Sequence, residues 1–235
     1  MDIYLNFNLN LHNMNYFICI TTIQKYKVAL DMLIESLPIE WKTNYILVYQ
    51  DEEENNYKIF EDGHIEVYIT NNLSDYGSFV GINMLLEANV VPQDSWFLLI
   101  HDTCKFLGDS CVSKIYNLIE QYNNSDIDIL WLSKNGQCNI CLIRKKAIQV
   151  GNECYKNIKY MTKMETICYE WTFTNPLSPK SFDVKQHFIN GGVKDLGKRY
   201  MYNNKNGRIC LLFQAINMEK YYFFTSRESD HPFSP

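Results

Sequence analysis

The residues best suited to chemistry are His101, Asp102 and Thr103, which directly follow the apolar run at 96–100. A short apolar run bounded by polar residues is typical of a buried strand. Ligands of open α/β sheets bind beyond the carboxyl ends of such strands, so Asp102 lies where a metal ion or a phosphate-bearing ligand is expected. Taken alone, such a triplet more often ends a core strand in a solvated turn, and its meaning depends on the other strand ends.

Polar side chains also follow the other strands predicted in the first half of the chain. They are Thr21, Thr22, Gln50, Asp51 and the segment 71–77, which contains Asp75. One doubly wound sheet would bring all of them to the edge that carries Asp102. Because a carboxylate accepts two hydrogen bonds, Asp51 suits a ribose hydroxyl or a base edge. The sequence therefore predicts nucleotide-binding residues at these strand ends, with Thr21 in the same pocket as Asp51.

Strands and helices alternate in the first half of the chain. Strands are predicted at 15–20, 45–49, 64–70, 96–101 and 127–132. Apolar residues at helical spacing predict helices within 26–37, 79–86 and 112–122. Such alternation implies an α/β fold with a mainly parallel, doubly wound sheet and helices on both faces.

The second half of the chain is less regular. A strand is predicted at 138–143 and helices at 145–158 and 160–171, before Pro176 and Pro179 break the pattern. The remainder is rich in Gly, Asn and Tyr and holds two short apolar segments, 209–213 and 221–225. We expect a small irregular or β extension and a tail at 226–235. No linker separates two domains, so 1–235 is predicted to form a single domain.

Composition excludes several classes of protein. The net charge of −5 argues against general nucleic-acid binding, which needs a basic surface. No apolar stretch approaches the length of about 20 residues that a membrane span requires, and no secretory signal is visible. Cys138 and Cys141 form a lone CxxC pair, with no second pair and no histidine at metal-ligand spacing, which favours reduced thiols in a cytoplasmic protein over a structural zinc site. There is no glycine-rich phosphate loop, which counts against kinases and dehydrogenases.

Several motifs in order carry a family resemblance: Thr21-Thr22, Gln50-Asp51, the unit 74–103, the segment 137–144, Tyr200-Met201-Tyr202, Gly207-Arg208 and the segment 217–221. Over residues 15–224 the chain resembles a GT-A-type glycosyltransferase, similar to small viral or capsular members. The resemblance implies a nucleotide-sugar-binding half at 15–132 and an acceptor-side half at 133–225. For a viral member, the cytoplasm would be that of the host.

The resemblance also implies a divalent metal ion, Mn²⁺ or Mg²⁺, after the strand at 96–101. The family has two carboxylates flanking one residue there, whereas this chain has His101, Asp102 and Thr103 as the candidate ligands. Histidine is a fair ligand for manganese and a poor one for magnesium, and threonine binds weakly. Two possibilities stay open. Either Asp102 anchors the ion together with the diphosphate and water, or metal dependence is weak.

An inverting transfer needs a general base that removes the proton of the acceptor hydroxyl. Glu170 is the favoured candidate because Tyr169 and Trp171 flank it, and desolvation by such neighbours raises the pKa of a carboxyl group. Glu153 and Glu165 are the other candidates. Positive charge for the leaving diphosphate is predicted at Arg208, with Lys194 and Lys198 in the same glycine-rich segment.

The expected activity is that of a hexosyl- or pentosyltransferase. It would move a sugar from a nucleoside diphosphate sugar to a glycan or small-molecule acceptor. Two alternatives remain open: a catalytically degenerate carbohydrate- or nucleotide-binding protein that kept the fold, and a nucleotidyltransferase. The second would need a glycine-rich basic loop after the first strand, and residues 21–27 contain no glycine.

Overall fold

A computed structural model describes residues 16–23, 26–132, 140–162, 165–166, 193–196, 199–203 and 209–221. Within these ranges no helix combines the length and the apolar character needed to cross a membrane.

The described chain contains four helices and twelve strands. The helices are α1 (Lys27–Ser36), α2 (Gly77–Glu87), α3 (Ser110–Tyr122) and α4 (Lys145–Tyr155). The strands are β1 (Tyr16–Thr22), β2 (Tyr45–Gln50), β3 (Asn56–Ile59), β4 (Ile65–Ile69), β5 (Trp96–His101), β6 (Cys104–Phe106), β7 (Ile129–Trp131), β8 (Cys141–Arg144), β9 (Val193–Asp195), β10 (Arg199–Asn203), β11 (Ile209–Phe213) and β12 (Met218–Tyr221). Short 3₁₀ turns at Ile39–Trp41 and Ser74–Tyr76 precede β2 and α2.

The central sheet has eight strands in the order β3-β4-β2-β1-β5-β8-β7-β9. The neighbouring strands β4, β2, β1 and β5 are parallel, and β9 is parallel to β7. The edge strand β3 is antiparallel to β4, and β8 is antiparallel to both of its neighbours. The predicted α/β class is confirmed, with a sheet that is mixed and mostly parallel.

Two hydrophobic cores cover the two faces of this sheet. Successive residues of a strand point to opposite faces. In β1, Phe17 and Cys19 therefore join the core that contains α2 and α4, whereas Ile18 and Ile20 join the core that contains α1 and α3. The same alternation continues to the ends of β1 and β5 and decides which way their polar residues point.

A second sheet, of four antiparallel strands, has the order β10-β11-β12-β6. It joins the late part of the chain to β6, which begins three residues after the end of β5. The apolar segment 209–213 forms β11, and Tyr221, the first residue of the apolar segment 221–225, ends β12; the rest of that segment lies outside the described residues. The helix predicted at 160–171 is wrong at 160–162, where Tyr160 forms a β-bridge with Asn72, whereas Glu165 and Thr166 are helical and the remaining residues lie outside the described ranges.

We expect Gly151→Ala to destabilise the protein, although alanine is the better helix former. A Cβ atom on Gly151 of α4 would lie 2.0 Å from Cδ1 of Phe79 on α2, so the two helices would have to separate. Overpacking of this kind costs about 1–3 kcal/mol. Urea unfolding measures the loss, and Glu153→Ala on an exposed position of α4 is the matched control. An increase in the unfolding free energy of Gly151→Ala would contradict this packing.

Candidate active site

The strand order reverses between β1 and β5. The chain passes from β1 through β2 to β4 on one side, and then crosses to β5 on the other side of β1. In open α/β sheets a crevice forms outside the carboxyl ends of the two strands at such a reversal, and ligands bind there. A binding site is therefore expected at the ends of β1 and β5, beside Thr22 and His101.

Side chains from β1, β5 and α2 are joined at this edge. The hydroxyl of Thr22 donates a hydrogen bond to Oδ2 of Asp102 at 2.9 Å. The hydroxyls of Thr21 and Ser78 are hydrogen-bonded to each other, and Thr21 lies opposite His101 in the parallel ladder. All five side chains are buried. Ser78 of α2 is a member of this cluster that sequence reasoning missed.

His101 and Asp102 leave the end of β5 on opposite faces of the sheet. Nε2 of His101 is 3.8 Å from Oδ2 of Asp75 in the turn before α2, and Nδ1 is 3.3 Å from Oγ1 of Thr103. Asp102 instead points to the α1 face, where Thr22 contacts it. The structure brings together the predicted residues Thr21, Thr22, Asp75 and the triplet 101–103, but it does not direct the triplet toward one point.

Burial dominates the electrostatics of the cluster. Asp102 is 6% exposed, and its burial raises the pKa of the carboxyl group from 3.8 to about 7. The hydrogen bond from Thr22 and the charge of Lys220 oppose that rise, whereas Asp75 adds to it. Burial lowers the pKa of His101 from 6.5 to about 4 against the attraction of Asp75. At neutral pH the imidazole is uncharged, and Asp102 titrates near neutrality.

These two shifts give a dependence of stability on pH. The pKa of Asp102 is higher in the folded protein than in the unfolded chain, so the folded protein binds the carboxyl proton more tightly. The contribution of Asp102 to stability therefore falls as pH rises from about 4 to about 7. The contribution of His101 to stability rises between about pH 4 and pH 6.5, because the unfolded chain binds the imidazole proton more tightly than the folded protein does. In Asp102→Asn only the contribution of His101 remains.

We therefore expect Asp102→Asn to gain stability relative to the parent as pH rises. The difference between the two free energies of unfolding should change by at most about 1.4 kcal/mol for each pH unit between about pH 4 and 7. Urea unfolding of both proteins at several pH values in this range measures it. A difference that does not vary with pH would contradict the raised pKa of Asp102.

The donor atoms at the end of β5 fit a metal ion only in part. Among the residues that the structure describes, no group of three or more His, Cys, Asp or Glu side chains is arranged to hold one. Successive strand residues point to opposite faces, so His101 and Asp102 do not converge as two ligands. Nε2 of His101 is buried without a hydrogen-bond partner, but it faces Asp75 on the α2 side. A divalent ion at this edge would therefore have the carboxylate of Asp102 as its protein ligand, and it would supply positive charge beside a phosphate-bearing ligand.

Gln50 is held by the turn that carries Asp75. Its side-chain Nε2 donates to the carbonyl oxygen of Ser74 at 2.7 Å, and its Oε1 accepts from the backbone N–H of Leu73 at 2.7 Å. Ser74 has a φ of 54°, in the left-handed region that few serine residues occupy, so the turn needs such support. We assign Gln50 to positioning this turn, and its predicted contact with a nucleotide stays a prediction.

Asp51 lies at the same edge in a different environment. Its side chain is exposed, its φ is 66°, and its backbone N–H donates to the carbonyl oxygen of Asn71 at 3.1 Å. Aspartate tolerates the left-handed region better than most residues do. An exposed carboxylate on a fixed backbone is compatible with the predicted contact to a ribose or base.

Two of the three candidate general bases, Glu153 and Glu165, lie within the described residues. Glu170 lies outside the described residues. Glu165 forms a helix-capping pair with Thr162: the backbone N–H and the hydroxyl of Thr162 donate to Oε2 of Glu165, each at 2.8 Å. These bonds hold the pKa of Glu165 below its usual range, which does not suit a base. Glu153 is exposed and accepts a hydrogen bond from Nζ of Lys156 at 2.6 Å.

Of the three predicted cations, Lys194 is the one that the structure describes. Arg208 and Lys198 lie outside the described residues, and Lys194 is exposed on β9. Arg144, at the end of the segment 137–144, donates to the carbonyl oxygens of Tyr122, Asn123 and Ser125 at the end of α3, and its guanidinium lies over the ring of Trp96. Because Trp96 begins β5, Arg144 lies at the opposite edge of the sheet from Asp102.

Comparison of the chain with protein-family models and with curated proteins found no match. The case for a function therefore depends on the residues at the ends of β1 and β5.

Proposed function

We propose that this chain is a glycosyltransferase that uses a nucleoside diphosphate sugar as its donor. One observation carries the proposal: a buried Asp102, hydrogen-bonded by Thr22, lies beyond the carboxyl end of β5, where the strand order reverses between β1 and β5. Asp75, His101 and Thr21 surround the same edge. The acidic and hydroxyl groups there agree with the GT-A-type resemblance, in which an acidic motif follows a strand at the nucleotide-sugar site.

In this proposal the residues would have the following roles. Asp51, at the exposed end of β2, would accept a hydrogen bond from the ribose or base. In the transfer, an acceptor hydroxyl oxygen bonds to the anomeric carbon while the bond from that carbon to the diphosphate oxygen breaks. The electron pair leaves on the diphosphate, and in an inverting reaction the hydroxyl proton passes to Glu170. A divalent ion, held by Asp102 and the diphosphate when bound, would stabilise the charge that develops on the leaving group.

The burial of the cluster favours a second candidate function. Asp102 and His101 are 6% and 7% exposed, and the only carboxylate of the triplet already accepts a hydrogen bond from Thr22. A protein that retains the crevice for nucleotide or carbohydrate binding, without catalysis, is compatible with these contacts. It would bind donors and leave their glycosidic bond intact.

A binding screen separates these proposals from unrelated functions. The parent protein is heated with a panel of nucleoside diphosphates and nucleotide sugars, with manganese or with a chelator, and positive pairs are titrated by calorimetry. Ligand at 100 times its Kd adds about 2.7 kcal/mol to the unfolding free energy, which is readily visible as a higher Tm. Release of nucleoside diphosphate from a bound donor supports the transferase, and binding without release supports the second candidate. No binding by any member of the panel would reject both.

A further inference from the structure

The second sheet brings a lysine from the far end of the sequence to the candidate site. Strand β12 pairs with β6 in antiparallel register, so that Lys220 lies opposite Cys104, two residues beyond Asp102. Residues directly opposite each other in such a pair point to the same face of the sheet. The β11–β12 hairpin thus fixes the backbone of Lys220 beside the end of β5.

The charge of Lys220 acts on the buried groups of the site. It lowers the pKa of Asp102, of the Cys104 thiol and of His101, while Asp75 acts in the opposite direction on each. All three of these groups lie in the segment 101–104, whose last residue is opposite Lys220 in the β12–β6 ladder. Lys220 is half-buried, so part of its surface remains open to solvent.

We propose that Lys220 binds the phosphate oxygens of the ligand and neutralises the diphosphate as it leaves. The inference rests on the proposed function and names the cation of that site. A diphosphate next to Asp102 and Asp75 is repelled by both carboxylates, so binding requires positive charge at the same edge. An ammonium is a compact charge with three donors and is a common phosphate ligand in proteins. The proposal gives Lys220 the role that was predicted for Arg208, which lies outside the described residues and stays a prediction.

Inorganic pyrophosphate tests this inference without reference to any sugar or nucleotide. Its affinity is measured by calorimetry in the presence of a chelator for the parent, Lys220→Gln, Lys220→Arg and Lys105→Gln. Lys105 is the matched control because it follows Cys104 in β6 and lies opposite Glu219, not Lys220, in the antiparallel ladder. Loss of a charged hydrogen-bond partner should weaken binding by Lys220→Gln about ten-fold or more. Lys220→Arg should retain most of the affinity, and Lys105→Gln should equal the parent.

A second measurement needs no variant. The parent is treated briefly with acetic anhydride with and without pyrophosphate, and acetylation of each lysine is measured by mass spectrometry. Pyrophosphate should slow the acetylation of Lys220 and leave that of Lys105 unchanged. Failure of the parent to bind pyrophosphate, equal affinity in Lys220→Gln, or unprotected Lys220 would overturn the inference. Pyrophosphate binding through Lys220 in a protein that binds no nucleotide sugar would instead reject the proposed function alone.

Discussion

Asp102→Asn is expected to remove the manganese-dependent part of nucleotide affinity and to lower sugar transfer by about 10²-fold or more. Asparagine keeps the size of the side chain, and its amide oxygen can still accept the hydrogen bond that Thr22 gives to Oδ2 of Asp102. What disappears is the negative charge that would hold a cation against the diphosphate. Losses of 10²–10³-fold are typical when one group that stabilises transition-state charge is removed.

Calorimetric titration with UDP and GDP, with and without manganese, measures the first effect, and release of nucleoside diphosphate from the donor measures the second. Asp94→Asn is the matched control, because Asp94 is exposed and precedes β5 at the opposite edge of the sheet. Equal affinities for the parent and Asp102→Asn, with or without metal, would show that the metal site is misplaced. If the parent binds the nucleotides equally well without metal, the result would favour weak metal dependence, the second of the two possibilities given by the sequence.

Glu170→Gln is expected to lower turnover by about 10²-fold or more and to leave donor affinity intact. Glutamine has the shape and hydrogen-bonding capacity of glutamate but cannot take the proton of the acceptor hydroxyl, and a general base contributes 10²–10⁴-fold. Slow hydrolysis of the donor should fall in parallel. Glu153→Gln is the control, since the carboxylate of Glu153 is exposed and engaged with Lys156.

Turnover of Glu170→Gln close to that of the parent would remove this residue from the mechanism. Nuclear magnetic resonance of the product gives its anomeric configuration. Retention of the donor configuration would exclude the simple base role, whatever the rate of the variant.

The central strands of the sheet could be predicted because each is recognisable from its own local sequence. β1, β2 and β5 are short apolar runs that end in polar residues, and each was expected within two residues of its observed bounds. β3 was missed because all four of its residues are exposed and none marks a buried face. β8 was expected, but its antiparallel direction depends on a pairing with β5 that periodicity does not encode.

The candidate site could be predicted only in outline. Polar residues at strand ends pointed to one edge of the sheet, where the structure brings Thr21, Thr22 and the segment 101–103 together, and that inference needs no register. The opposite directions of His101 and Asp102 follow from strand alternation, whereas the grouping of His101, Asp102 and Thr103 as metal ligands came from the family resemblance and not from the geometry of β5. The position of Lys220 depends on the pairing of β12 with β6, between segments far apart in the chain. Local spacing therefore favoured Arg208 instead.

Hydrogen exchange measured by mass spectrometry tests the central claim most directly, namely that the crevice beyond β1 and β5 binds a nucleoside diphosphate. The protein is compared with and without a saturating amount of the nucleoside diphosphate that binds best. We expect slower exchange in peptides that cover the ends of β1, β2 and β5 and the turn Ser74–Tyr76, with no change at Asp94 or the amino end of β5. Protection confined to another part of the chain, or no protection under saturating nucleotide, would contradict the claim.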